Sequence, residues 1–132
     1  MEATGQQVER GAAAGVVSAG GIEIRPREYV AALEGQALAL TMRELQLLTA
    51  LVSRAGRIVS RGELYSVVWG EPYRKADRSV DVYVGKLRQK LEQHVAQEHF
   101  IHTHFGFGYR CSREPKVGAM GARAPWPPVA RR

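Results

Sequence analysis

The stretch from about Arg78 to Glu92 constrains the fold most. Val80, Val84, Leu87 and Leu91 recur at intervals of four, three and four, the spacing of a helix with one apolar face. A helix of this kind must bury that face against other elements. Its other faces carry Arg78, Lys86, Arg88 and Lys90 against Asp81 and Glu92, so the exposed side is expected to be basic. Val82, Lys86 and Lys90 step by four and are expected to share one exposed face, with Tyr83 beside them.

Two shorter helices precede it. Thr41-Met42-Arg43-Glu44 reads as a capping box, in which the Thr hydroxyl accepts the N3 amide and the Glu reaches back. Leu45, Leu48, Ala50, Leu51 and Val52 follow as a buried stripe, and Gly56 is expected to stop the helix. Ser60-Arg61-Gly62-Glu63 reads as a second box, followed by Leu64, Val67, Val68 and Trp69, with Gly70 and Pro72 ending the helix. Upstream, Ile22 and Ile24 alternate with polar residues. Tyr29–Leu33 and Gln36–Leu40 flank the turn pair Glu34-Gly35, which predicts a small antiparallel sheet. Downstream, Phe100–His104 and Phe107–Cys111 lie on either side of Gly106, as in a tight hairpin.

The order sheet, helix, helix, helix, hairpin is an α+β arrangement of the winged helix-turn-helix kind, in which the last helix reads DNA and the hairpin is the wing. The expected organisation is a flexible arm over 1–19, the winged domain over 20–112, and a disordered tail rich in Pro and Arg over 113–132. A length of 132 residues with 45% apolar residues suits one domain with a genuine core. The formal charge of +6 favours a polyanionic partner. A lone cysteine, Cys111, forms no internal disulfide. No apolar run approaches the about 20 residues of a spanning helix, and the N-terminus has neither a basic n-region nor an apolar h-region. The expectation is a cytoplasmic protein with no membrane partner.

Leu40–Leu48, Gly56–Leu64, Val68-Trp69-Gly70, Arg78–Leu91 and Ile101–Arg110 together resemble the DNA-binding effector domain of OmpR/PhoB-type response regulators, over about residues 21–111. The resemblance implies a transcription regulator that binds double-stranded DNA, commonly as two copies on head-to-tail half-sites. The third helix (about 78–92) would lie in the major groove and the wing (about 99–111) on the backbone or minor groove. Full-length relatives carry a phosphorylatable receiver domain upstream, for which the roughly 20 residues before the match are too few. The chain is therefore expected to be an effector domain, free-standing or cut from a longer gene, without the phospho-aspartate switch.

On this reading Arg78 and Ser79 meet phosphate at the helix start, unless Ser79 simply caps the helix. Val82 suits a thymine methyl, Lys86 guanine O6 or N7, and Tyr83 a phosphate. Lys90 shares their face, and Arg88 is either a backbone clamp or an internal partner. Gly85 costs roughly 1 kcal/mol against Ala in mid-helix; many relatives carry a longer residue there. In the wing, Thr103 and Arg110 suit phosphates. Where the family often places a minor-groove Arg, this chain has Phe105: either the wing contributes less A·T preference, or the ring packs on sugar faces. Tyr109 is expected to pack under the hairpin. The loop containing Pro72, Tyr73, Arg74 and Lys75 faces RNA polymerase in the resembling family; otherwise it is a polar connector that reaches the DNA backbone.

His94, His99, His102 and His104 lack a Cys pair, an HExxH pattern and a carboxylate cluster, so no metal and no cofactor is expected; a pH-sensitive wing fits them better. No nucleophile elbow, P-loop or metal set points to an enzyme. The alternative from a different class is a protein-interaction module on a winged-helix scaffold that has lost specific DNA binding. The basic third helix weighs against it, and Gly85 and Phe105 weigh for it.

Overall fold

A computed structural model describes residues 15–116. A four-stranded antiparallel sheet comes first: β1 (Val17–Ala19), β2 (Ile22–Arg25), β3 (Val30–Leu33) and β4 (Gln36–Ala37), in that spatial order. Two hairpins build it. Ala19 pairs with Ile22 across Gly20-Gly21, and Leu33 with Gln36 across Glu34-Gly35. All four loop residues have positive φ, the conformation of a type I′ turn, which matches the twist of the strands it joins. The expected sheet is present with different limits. Tyr29, at φ 57°, lies outside β3, and β4 stops at Ala37.

Next come α1 (Met42–Ser53), β5 (Ile58–Val59), α2 (Arg61–Trp69) and α3 (Ser79–His94). Thr41 closes the full capping box: its Oγ1 accepts from the Glu44 amide at 3.2 Å, and Oε1 of Glu44 accepts from the Thr41 amide at 2.9 Å. The second box is only half formed. Ser60 Oγ accepts from the Glu63 amide at 3.0 Å, but the Glu63 carboxylate turns to Arg54 Nε at 3.0 Å and Arg57 Nη2 at 2.9 Å. Charge-assisted bonds to two guanidinium groups outcompete a neutral amide. Two further departures concern α1 and α2: α1 ends at Ser53, three residues before Gly56, and Val67 is 49% exposed while Tyr65 takes the buried place on α2.

The chain closes with the hairpin β6 (Glu98–His104) and β7 (Gly108–Pro115). Here β7 is the centre of a three-stranded sheet, with β5 on one side and β6 on the other. Gly108 makes this possible. Its φ is 143°, and a Cβ there would lie 2.0 Å from the Val59 carbonyl oxygen, so only glycine allows β7 so close to β5.

Both expected domain limits move outward. Val17–Ala19 is a strand rather than arm, because Gly20-Gly21 supplies a hairpin turn. Arg113–Pro115 is strand rather than tail: Pro115 opposes Glu98, and Arg113 contacts Glu98, the Gly20 carbonyl and Glu34, clasping the two sheets together. The rest of the expected arm and tail, 1–14 and 117–132, lies outside the described residues.

One core joins these parts. Ile22, Ile24 and Leu33 from the first sheet meet Leu47, Leu48 and Leu51 of α1, and Val80, Val84, Leu87 and Leu91 of α3, all at 1% exposure or less. The apolar stripe read from the sequence is thus the inner face of α3. Among the described residues no helix is long and apolar enough to cross a membrane.

Candidate nucleic-acid interface

The orientation of α3 follows from its buried stripe. Val82, Gly85, Lys86 and Gln89 lie opposite it and are exposed, and Arg78 at the helix start has 78% of its side chain exposed. Gln89 was not singled out by the four-residue steps. It lies seven positions after Val82 and three after Lys86, which returns it to the outer face.

Lys90 does not share that face. Each step of four advances about 40° around a helix of 3.6 residues per turn, so two steps from Val82 carry Lys90 round to the flank. There its Nζ lies 2.6 Å from Glu44 Oε1 and 2.8 Å from the Ala39 carbonyl oxygen. Glu44 is 3% exposed. Burial pushes its carboxyl upward, but Lys90 and the Thr41 amide outweigh that and hold its pKa below the ordinary value. Arg88, on the opposite flank, resolves as an internal partner: Nε donates to the Ile101 carbonyl at 3.0 Å and Nη2 to Thr103 Oγ1 at 2.6 Å. Arg110 donates to His104 Nε2 at 3.0 Å and to Glu114 Oε2 at 3.0 Å. Lys90, Arg88, Thr103 and Arg110, all expected on DNA, therefore have internal partners that fix α3 to α1 and stiffen the wing.

The start of α3 is held by a carboxylate rather than by Ser79. Asp77 Oδ1 accepts from the Ser79 amide at 2.7 Å. One turn on, Asp81 receives Arg61 Nε at 2.7 Å, Arg78 Nε at 3.3 Å and the Tyr109 hydroxyl. Burial disfavours the Asp81 charge, but Tyr109 and the two arginines win and keep its pKa below the ordinary value. Tyr109 does pack under the hairpin, with the Arg61 and Arg88 guanidinium groups 5.2 and 5.7 Å from its ring centre. Asp81 thereby ties the beginnings of α2 and α3 to β7, and sets the wing relative to the outer face of α3.

Aromatic rings set the angle between α2 and α3. Trp69 stacks on Tyr65 with centroids 5.0 Å apart and meets Tyr83 edge-on at 5.7 Å. Tyr73 packs against Tyr65 at 5.6 Å, so it folds back from the α2–α3 loop, while Pro72, Arg74 and Lys75 remain exposed. Lys86 Nζ rests 5.2 Å from the centre of the Tyr83 ring. Lys86, Arg74 and Lys75 form no ion pair among the described residues. At the wing tip Phe105 is 86% and Phe107 71% exposed.

The histidines have local roles. His102 Nε2 lies 2.7 Å from the Ser112 carbonyl oxygen, His99 Nδ1 3.4 Å from Glu92, and His94 Nδ1 3.3 Å from Gln36 Oε1. Among the described residues no group of three or more His, Cys, Asp or Glu side chains is placed to hold a metal ion.

The sequence profile described as "Transcriptional regulatory protein, C terminal" matches residues 35–111, more than half of the chain. The chain is 33% identical over 102 residues to the sensory transduction protein RegX3 of Mycolicibacterium smegmatis, covering 77% of this chain and 45% of that protein. It is 35% identical over 103 residues to the alkaline phosphatase synthesis transcriptional regulatory protein PhoP of Bacillus subtilis, covering 78% and 42%. It therefore spans less than half the length of these relatives. Among solved structures, the RstA DNA-binding domain of Klebsiella pneumoniae, in complex with the RstA box, superposes with a TM-score of 0.65 at 32% identity, covering 74% of this chain and 96% of that one. This is a family of transcription-factor domains, not of enzymes. An antiparallel sheet, three helices and a wing, with a matching profile over most of that span, place the chain in the family of C-terminal, OmpR/PhoB-type DNA-binding domains of transcriptional regulatory proteins.

Proposed function

We propose that this domain binds double-stranded DNA sequence-specifically and regulates transcription in the cytoplasm, with α3 in the major groove. The observation that carries the reading is the division of labour among its cations. Arg88, Lys90 and Arg110 are engaged inside the domain, whereas Lys86 lies on the outer face of α3 with Val82 and Gln89, and Arg78, just before the helix, keeps 78% of its side chain exposed while its Nε reaches Asp81. A Lys donates to guanine, a Gln pairs with adenine N6 and N7, and a Val packs on a thymine methyl, so the stripe is a base-reading set. Arg78 contacts the phosphate backbone, with Ser79 and Tyr83 beside it. The wing lies on the backbone or minor groove. Two copies on tandem half-sites, and a contact from Pro72, Arg74 and Lys75 to RNA polymerase, complete the proposal.

The test is retention of a randomised duplex pool across a salt series, followed by sequencing of what remains at the highest salt. Binding that falls steeply with salt, with survivors sharing a motif repeated about one helical turn apart, supports the reading. Lys86→Ala should then relax one or two positions of the motif. Survivors with nothing in common would leave a non-specific binder and remove the base contact from Lys86.

A further inference from the structure

Gly85 lies in the middle of α3, and the fold gives no reason for it. Glycine in a helix interior is less stable than alanine. A fold requires glycine where the backbone needs a positive φ or where a Cβ would collide. Gly85 meets neither condition: its φ is not positive, and a Cβ there would find nothing within 4 Å. Among the described glycines it is alone in this. Gly62, the other one without a positive φ, would bring its Cβ to 3.6 Å from Tyr73, and all the rest have positive φ. The reason for Gly85 therefore lies outside the domain, in what its exposed surface meets.

The surroundings narrow the chemistry of that partner. Gly85 is exposed on α3 together with Val82, Lys86 and Gln89. Val82 precedes it by three residues and Gln89 follows it by four, so both are its neighbours one turn away on the helix surface. Val82 is 52% exposed, the one large apolar side chain exposed on this helix. The Gly85 amide is committed to the helix's own ladder. The floor of the gap is thus C–H surface with no free donor, and its sides are the Val82 methyls and the stem of Gln89. A phosphate gains no hydrogen bond there, whereas a small apolar group gains contact on three sides. In the major groove of a duplex, that group is the C5-methyl of thymine.

We propose that the gap at Gly85 is a specificity element: it seats the C5-methyl of one thymine between Val82 and Gln89 and brings α3 closer to that base than any side chain at this position would allow. The inference rests on the DNA-binding reading above and goes beyond it, because it assigns the choice of a base to a missing side chain.

The test compares the unchanged protein, Gly85→Ala and Lys86→Ala on the duplexes retained from the randomised pool, with each thymine of the motif replaced singly by deoxyuridine. Gly85→Ala should raise the melting temperature by about 4–8 °C, since alanine favours the helix and meets open space; a lower melting temperature would make Gly85 structural and overturn the proposal. For the unchanged protein, one replacement should weaken binding about fourfold, the loss of one buried methyl group. On the thymine duplex Gly85→Ala should bind about tenfold more weakly than the parent, because two methyl groups then compete for one space. On the matching deoxyuridine duplex the two proteins should agree within about twofold, the alanine filling the space that the thymine methyl has left. A motif with no methyl-sensitive thymine, or a Gly85→Ala defect of equal size on both duplexes, overturns the seat. Parent-like affinity of Gly85→Ala on every duplex, alongside a weakened Lys86→Ala, also overturns it and leaves the DNA-binding reading standing. No binding by the unchanged protein overturns both.

Discussion

Replacing Lys90 by Met separates a structural lysine from a DNA-contacting one. Met keeps much of the apolar stem and removes the ammonium, leaving the Glu44 carboxylate 3% exposed with only the Thr41 amide as a close partner. Breaking a buried pair by removing one member costs about 3–5 kcal/mol. The Lys90 side chain is 33% exposed and the Thr41 bond survives, so the expected loss is about 2–3 kcal/mol, or roughly 10–20 °C in melting temperature for a domain of this size. Urea unfolding monitored by circular dichroism measures it. The loss should shrink in acid. In the parent, Glu44 titrates below its ordinary value, so the pair's contribution is complete above the unfolded pKa and disappears as pH falls through the folded one. In the variant the buried carboxyl, without its cation, takes up a proton more readily, and acid relieves it. Glu44→Gln combined with Lys90→Met should recover at least half the stability, because a Gln still completes the capping box. A Lys90→Met protein as stable as the parent but weakened on DNA would refute this reasoning and return Lys90 to the interface.

Two further outcomes follow from the packing of β7. Gly108→Ala places a methyl group against the Val59 carbonyl at a φ of 143°; it should destabilise the domain by about 2–4 kcal/mol and loosen the wing, seen as faster amide exchange in β5 and β7. Cys111 is 4% exposed, and burial pushes its thiol up to about 11. It should therefore resist a thiol reagent at neutral pH in the folded protein and react promptly in denaturant; rapid labelling without denaturant would show that β7 opens locally.

Much of this fold was legible because local signals agreed with the global pattern. Thr41, the Val80-Val84-Leu87-Leu91 stripe, Gly35 and Gly106 each identified an element. Strand limits were less legible. Val17–Ala19 carries no long alternation, and the available clue was the Gly20-Gly21 pair, a type I′ signature. Ile58–Val59 is too short to read as a strand, and becomes one only because Gly108 lets β7 approach it. Arg113–Pro115 looked like the start of a tail because Pro115 ends a strand without leaving it.

The outward face of α3 was legible in its centre and misplaced at its flanks, for one geometric reason. Counting by fours keeps Lys86 near Val82 but lets Lys90 drift toward the core side, where a long flexible stem reaches a buried carboxylate. Arg88 drifts from the outer face in the opposite sense and finds the Ile101 carbonyl and Thr103. Sequence spacing assigns a direction to a side chain, but not its partner, which comes from a strand or helix distant in the chain. The same reasoning limits what net charge says about binding. Of the cations on α3 and β7, those at the flanks hold the scaffold and those on the outer face of α3 remain available to phosphate and bases. Removing Lys90 should thus be read out in unfolding, and removing Lys86 in base preference.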